Sequence, residues 1–531
     1  MAPLVKKYDV VIVGGGHNGL VCSAYLAKAG LSVCVLERRH IVGGAAVTEE
    51  VWPDHHVSVA SYGMTLFQPR IIEELELGKH GLEVLRPDPV FLPFPDGRWF
   101  VFADEPRQFY DQLAKFSKKD AAAYPQFRKR LDEIGPLLRR LIWETPPNLS
   151  LSSAGEALDF LKFALKHRDL RFHWSTLYDL LTLSLDEYLS RWFESAEVKA
   201  ALCGLGGNGG NAGPRTPGTA SCLMRPLMKE PDSAATTTGF VRGGMGMVTR
   251  AIADSARASG VEIRTDARVI RIKLAGPKAT GVVLTSGEEV DAALVVSNAN
   301  LKTTFLKLLD ATQIEPEFLR SVKGFRTIGS VYKINLATED VPHYRMFSPD
   351  LAGFGYPTQV QIGPSVDYLQ KSFEDGQNQR CAAKPFLFCV TPSITDRTLS
   401  PQGSHIINVL AGHTSHEVEK LSREQHRETL LKAVVGTLNE YTGARFEPTH
   451  SQVLTPLDLE EIFDLPGGHV HHGELTVDQM FVKRPVAGYS DYRTPIEGLY
   501  LASASVHPGG GVTGVPGFNA AKAILRRKRR S

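Results

Sequence analysis

An α/β architecture, with a parallel sheet, an interleaved α+β unit and a helical insertion, is predicted by three observations. The chain opens with a strand, a glycine-rich turn, a helix and a second strand, complete by residue 37. Strand and helix patterns of the same kind return after residue 239 and again near the C-terminus. Between them, from about residue 105, lie long amphipathic stretches interrupted by proline-rich breaks.

Asp9-Val-Val-Ile-Val13 is a continuous apolar run, the pattern of a strand buried on both faces. Gly14-Gly-Gly-His-Asn-Gly19 follows, then a helical pattern from Leu20 to Ala29 closed by Gly30. A second strand, Leu31 to Leu36, ends on Glu37, 18 positions after Gly19. Gly14, Gly16 and Gly19 therefore spell G-x-G-x-x-G between a strand and a helix, with an acidic residue at the end of the next strand. That context marks a Rossmann-type dinucleotide-binding unit. Gly14 allows the tight turn, Gly16 lets backbone approach a pyrophosphate, and Gly19 lets helix and strand pack closely. Glu37 can accept hydrogen bonds from a ribose hydroxyl pair.

The bare pattern occurs twice more, at Gly204/Gly206/Gly209 and Gly509/Gly511/Gly514, so context decides. The second match leads into Asn208-Gly-Gly-Asn-Ala-Gly-Pro214, which predicts a loop forming a mobile cavity wall. The third lies between a strand at Gly498–Ala502 and a final helix at about Gly517–Arg527, with no acidic strand after it. It either aims a helix N-terminus at something negative or is a plain left-handed turn.

Residues from about 105 to 200, including Phe109–Phe116 and Leu177–Phe193, predict a mostly helical insertion. After Gly239 come a helix at Met247–Ala258 and strands at Val261–Thr265, Val269–Ile272, Gly281–Thr285 and Ala293–Ser297. The stretch 325–490 alternates strands with a helix at about Glu417–Tyr441. The nucleotide-binding domain is accordingly assigned to 1–75, 239–310 and 490–531. The substrate domain takes 76–238 and 311–489, with the helical insertion at about 105–235.

Composition excludes other classes. Of 531 residues, 43% are hydrophobic and 22% charged, which rules out a disordered or fibrous chain. Sixty basic against 58 acidic residues leave a charge of +2, too small a field for nucleic acid. Six cysteines without a C-x-x-C pair read as reduced thiols of a cytoplasmic protein. The N-terminus runs straight into a strand, leaving no room for a signal or transit peptide, and no apolar run is long enough to span a bilayer. Arg526-Arg-Lys-Arg-Arg530 is a solvated tail or a peripheral contact to an anionic membrane, where each charge adds up to about 1 kcal/mol. His469-Val-His-His472 has metal-ligand residue types, and strand alternation would put His469 and His471 on one face. With no third spaced ligand nearby, it is read as a polar patch and no metal is assigned. No Gly-x-Ser-x-Gly elbow supports a hydrolase.

Glu37-Arg-Arg-His-Ile-Val-Gly-Gly-Ala-Ala-Val-Thr-Glu-Glu50, with its Gly43-Gly44 doublet, resembles the segment after the nucleotide fingerprint in FAD-dependent oxidoreductases of the phytoene-desaturase and amine-oxidase superfamily. Gly243-Gly-Met-Gly-Met247, Val295-Val-Ser-Asn-Ala299 and Gly498 to Val512, which contains His507-Pro-Gly-Gly-Gly511, match it too. The resemblance implies FAD contacts at Gly14, Gly16, Asn18 and Gly19 for the pyrophosphate, and at Glu37 and Arg38 around the adenosine ribose. It implies Gly43, Gly44, Ala45 and Ala46 along the ribityl chain and flavin, Val269 at the adenine, and Gly510, Gly511 and Val512 at the flavin. His507 would orient the ring, handle a proton, or simply pack and fix the turn. The stretch Ile41–Ala46 holds no cysteine, and no second dinucleotide site is flanked by strand and acid, so disulfide reductase chemistry is not expected. The implied activity is removal of a hydride from a C–H bond of a small apolar molecule, with oxygen or a quinone as electron acceptor. A flavin-bound scaffold without turnover is the alternative.

Overall fold

A computed structural model describes residues 7–148, 154–206, 210–232, 237–347, 355–378, 380–418 and 420–528. The N-terminal unit forms as β1 (Lys7–Val13), α1 (His17–Lys28) and β2 (Val33–Leu36). Every residue of β2, and all of β1 from Val10 on, is buried, because helices cover both faces of the sheet. Gly30, at φ +86°, follows α1 where a left-handed residue ends the helix.

Five parallel strands lie in the order 499–501, 289–297, β1, β2 and 262–264. An antiparallel hairpin, 269–275 and 278–284, joins beside the first half of strand 289–297, whose second half pairs with 499–501. The register brings Leu501, Ser297, Val13, Leu36 and Arg264 level, so the carboxyl ends of all five parallel strands share one edge. The final helix, Val515–Lys528, lies against α1 so closely that a Cβ at Gly517 would stand 2.0 Å from the Asn18 carbonyl oxygen.

A second sheet of seven strands runs 450–454, 331–338, 405–414, 381–390, 359–362, 91–93 and 99–101, antiparallel except for the 359–362/91–93 pair. Strand alternation divides its residues. Ile334, Leu336, Val409 and Cys389 pack on one side with Leu430, Val434 and Leu438 of helix Arg423–Asn439. Lys333, Gln361, Phe388 and Leu410 face the opposite side, toward the cavities described below. A fully buried Leu or Val contributes about 1.5–3 kcal/mol, so the inner and outer faces cannot exchange by a one-residue slip.

Several elements differ from the sequence reading. Leu177–Phe193 is two helices, Leu170–Thr182 and Leu185–Ser190, because Ser184 and Glu187 form a capping box that restarts the helix. The helix expected from Glu417 begins at Arg423 for the same reason, with Ser422 and Gln425 as the box. Lys118–Ile142 is a single helix despite Pro125 and Pro136. The second glycine pattern is no loop at its start: helix Ala196–Gly206 continues through it, and a Cβ at Gly204 would lie 1.9 Å from Gln361 Nε2. Gly209 lies outside the described residues. His469–His472 is a turn rather than a strand, since Gly467, Gly468, His472 and Gly473 all have positive φ and the His472 N–H donates to the His469 carbonyl.

Candidate active site

The segments that follow the aligned strand ends enclose a cavity of ≈ 1330 Å³ between the parallel sheet and the inner face of the second sheet. That is where open α/β sheets bind ligands. Gly14, Gly16, Asn18, Glu37, Arg38, Gly43, Gly44, Ala45, Ala46, Val269, Gly510, Gly511 and Val512 all line it. Gly19 and His507 do not.

Gly14 adopts φ +95°, a value that favours glycine. Gly16 caps α1 with backbone only, no side chain caps the helix, and its first turn has no acidic residue. Leu20 N–H is the first to bond back, to Gly16 O, so the amides of His17 and Asn18 have no protein acceptor among the described residues. An uncapped N-terminus of this kind attracts an anion. Gly19 sits behind the loop, where a Cβ would meet the Gly14 carbonyl oxygen at 2.5 Å, so it sets the approach of helix to turn. Asn298 completes the loop: its Nδ2 donates to Gly14 O at 3.2 Å and lies against the positions a Cβ would take at Gly14 and Gly16, while its Cβ and Cγ lie against that at Gly19.

Glu37 is buried, with Oε2 accepting from Gly15 N–H (2.7 Å) and Oε1 from Arg39 N–H (2.9 Å). A carboxylate has about four lone-pair sites, so capacity remains for a ribose diol. Arg38 lines the cavity but spends Nη2 on the carbonyls of Glu461 and Ile462, clamping helix Pro456–Phe463 over the site. Gly43 N–H donates to Gly15 O, and the doublet lies against the fingerprint turn so closely that a Cβ at Gly44 would stand 3.3 Å from Gly16 Cα.

A second cavity of ≈ 640 Å³ lies between the helical insertion and the second sheet, lined by residues such as Leu181, Leu185, Met224, Leu369 and Phe386. Both cavities are lined by Leu66, Arg225, Phe388, His471 and Gly510, which mark their junction. Arg225 Nη1 lies 2.9 Å from His471 Nε2. Arginine only donates, so His471 accepts there and its ring is neutral, with the proton on Nδ1. Arg225 has no carboxylate partner among the described residues, and burial lowers its pKa. Lys333 is buried in the larger cavity's wall, bonded to Asn335 Oδ1, with Nζ 5.2 Å from the Tyr62 ring centre. Burial pushes its pKa well down, so the amine is held toward its neutral form. Neither Arg225, Lys333 nor Asn298 was singled out by sequence reasoning. The Val295–Ala299 match contained Asn298, but its contact with three glycines is tertiary.

At the C-terminal turn, Gly510 and Gly511 N–H have no acceptor among the described residues, and Val512 holds φ +55°, a strained value for a β-branched residue. A Cβ at Gly510 would fall 2.6 Å from His471 Cα, so a bulky side chain there displaces the His471 turn as well as any donor. The place of His507 is a correction. It is buried away from both cavities, its Nε2 3.0 Å from the Leu141 carbonyl and its ring edge-on to Phe481. A carbonyl only accepts, so Nε2 carries the proton. Burial lowers the His507 pKa to about 4 against 6.5 in the unfolded chain. Between those values the unfolded state binds more protons, so this contribution is full above pH 6.5 and is lost as pH falls toward 4, at most about 3 kcal/mol. His507→Phe is therefore expected to lose about 1–3 kcal/mol at pH 7, by stranding Leu141 O, with the gap to wild type narrowing by pH 5 in thermal melts. Flavin reduction kinetics should stay near normal; an altered pH–rate profile would return His507 to the chemistry.

The profile of the family described as flavin containing amine oxidoreductase matches residues 19–525. The chain belongs to that family. FAD is its cofactor, and the uncapped α1, the spare capacity of Glu37 and the open amides of Gly510 and Gly511 fit such a group. The chain is 34% identical to pyridine nucleotide-disulfide oxidoreductase domain-containing protein 2 of Rattus norvegicus, over 98% of this chain and 94% of that one. It is 26% identical to a limonene dehydrogenase chain of Castellaniella defragrans, over 98% and 95%. Among solved structures, a triple mutant of putrescine oxidase has the same fold, with TM-score 0.60, 16% identity and 99% of each chain covered. This member of the family is an FAD-dependent oxidoreductase. Among its described residues no helix is long and apolar enough to cross a membrane.

Proposed function

We propose that this oxidoreductase removes a hydride from a C–H bond of a small apolar molecule held in the ≈ 640 Å³ cavity, and passes the electrons to oxygen or a quinone. The observation that carries the reading is the junction at Leu66, Arg225, Phe388, His471 and Gly510, where an apolar chamber adjoins the cavity lined by the glycine fingerprint. Limonene, after which a relative is named, is a compound of that class. Gly14, Gly16 and Asn18 would hold the pyrophosphate, Glu37 and Val269 the adenosine, and Gly43–Ala46 with Gly510–Val512 the flavin.

Bound FAD supplies the two-electron acceptor; the chain supplies position and charge. Arg225 places a fixed positive charge at the junction, oriented by His471 Nε2. Lys333 Nζ, held toward its neutral form, can take up a proton from the larger cavity. The second sheet and the helical insertion line the chamber with mostly apolar side chains, whose low polarity strengthens both effects.

Anaerobic titration tests the reading. Cyclic or open-chain apolar alkenes should bleach the flavin absorbance, whereas primary amines, NADH and NADPH alone should leave it unchanged. Rapid bleaching by a nicotinamide nucleotide overturns the acceptor assignment, and bleaching by amines only overturns the substrate class.

A further inference from the structure

The helical insertion carries a surface that the reaction does not use. Helix Ala154–Lys166 has no buried residue, although Leu158, Phe160, Leu161, Phe163, Ala164 and Leu165 lie on it. The next helix, Leu170–Thr182, buries Thr176, Leu177 and Leu180 but presents Phe172, Trp174 and Tyr178 outward, at 72%, 64% and 56% exposure. These two helices hold seven of the fifteen exposed large apolar side chains among the described residues, so the patch is not scattered surface. Phe163 meets Phe481 at 5.8 Å between ring centres, and Leu181 and Thr182 line the apolar chamber, so the patch sits over that chamber's outer wall.

Charge on the two helices is balanced, and the basic excess lies on the neighbouring final helix, Val515–Lys528, which carries no acidic residue. Lys162 pairs with Asp159 on the first helix, Arg168 is exposed in the turn between the helices and Arg171 at the start of the second, while Asp169 and Asp179 pair with Arg140 and Arg191. Lys166 pairs with Glu144, beside Trp143, whose ring meets Phe518 of the final helix at 4.9 Å. Lys522 Nζ lies 5.9 Å from that Phe518 ring, and Arg526 is exposed one turn on. The basic end of the final helix therefore borders the apolar helix.

We propose that helices 154–166 and 170–182 dock this enzyme on an anionic lipid bilayer, with Lys522 and Arg526 at the headgroups. Apolar side chains enter the acyl boundary, Trp174 and Tyr178 sit at the polar interface their rings favour, and the basic rim meets the lipid charge. A two-fold pair of copies would instead bring equal patches together, setting basic rim against basic rim. An apolar substrate dissolved in the bilayer would then reach the chamber wall without crossing water.

Flotation of the FAD-loaded protein with vesicles tests this. Wild type should float with vesicles of about three parts phosphatidylcholine to one part phosphatidylserine, less with pure phosphatidylcholine, and less as salt rises. The double variant Leu161→Glu/Leu165→Glu should bind at least about tenfold more weakly, and Lys522→Glu/Arg526→Glu should lose the preference for phosphatidylserine. Because Leu161 and Leu165 are exposed, unchanged FAD content and melting temperature will show that the fold is kept. Wild type that fails to float, or a double variant that floats equally well, overturns the proposal. A wild-type dimer by light scattering that the double variant splits, without flotation, assigns the patch to a second copy and overturns it too.

Discussion

Gly16→Val should purify without FAD, with apparent affinity lowered by more than about 100-fold, or about 2.7 kcal/mol. A Cβ at Gly16 would stand 2.8 Å from Asn298 Nδ2, which is itself tied to the Gly14 carbonyl. The valine must therefore push out Asn298. Its methyl groups also enter the space in front of the unpaired His17 and Asn18 amides, where a pyrophosphate would lie. Gly30→Ala is the control, since nothing lies within 4 Å of a Cβ there and only the left-handed φ is penalised. FAD content measured by absorbance after denaturation decides; stoichiometric FAD in Gly16→Val would detach the fingerprint from the cofactor.

Arg225→Met should keep its FAD and its melting temperature, or melt slightly higher, while substrate-driven flavin reduction slows on the order of 10²–10³-fold, the loss typical of removing one group aimed at developing charge. The stability half of this expectation follows from burial. Arg225 has no carboxylate partner among the described residues and its guanidinium bonds to a neutral imidazole, so an apolar side chain of similar length removes a desolvation cost. The kinetic half follows from its position on both cavities. Arg225→Lys, which keeps charge but not the planar fork, should fall between the two. Stopped-flow reduction and differential scanning fluorimetry measured on the same preparations separate the effects: slowed chemistry with lost stability would make Arg225 a structural residue, and unchanged chemistry would remove it from the junction.

The local sequence was enough to specify β1, α1 and β2, the return of helix and strands after residue 239, and the dinucleotide fingerprint. Each is set by short-range rules: an apolar run fits a strand buried on both faces, a left-handed turn admits Gly14, and the next helix starts where no side chain caps it. The resemblance built on Glu37–Glu50 and on His507–Gly511 pointed to the flavin family that the profile match shows. Helix limits at Leu185 and Arg423 were misjudged only by overlooking capping boxes, which are local and readable.

Other features were decided by the tertiary structure alone. Arg225, Lys333 and Asn298 come from three distant parts of the chain and line one cavity because the second sheet turns Lys333 inward, strand 289–297 places Asn298 beside β1, and the helical insertion brings in Arg225. His507 shows the opposite outcome: a histidine beside three glycines has the composition of an active-site turn, yet its ring points to the Leu141 carbonyl on a helix 366 positions earlier. A side chain's chemical type is fixed by its codon, but its partner, its burial and hence its protonation depend on what long-range packing places within a few ångströms of it.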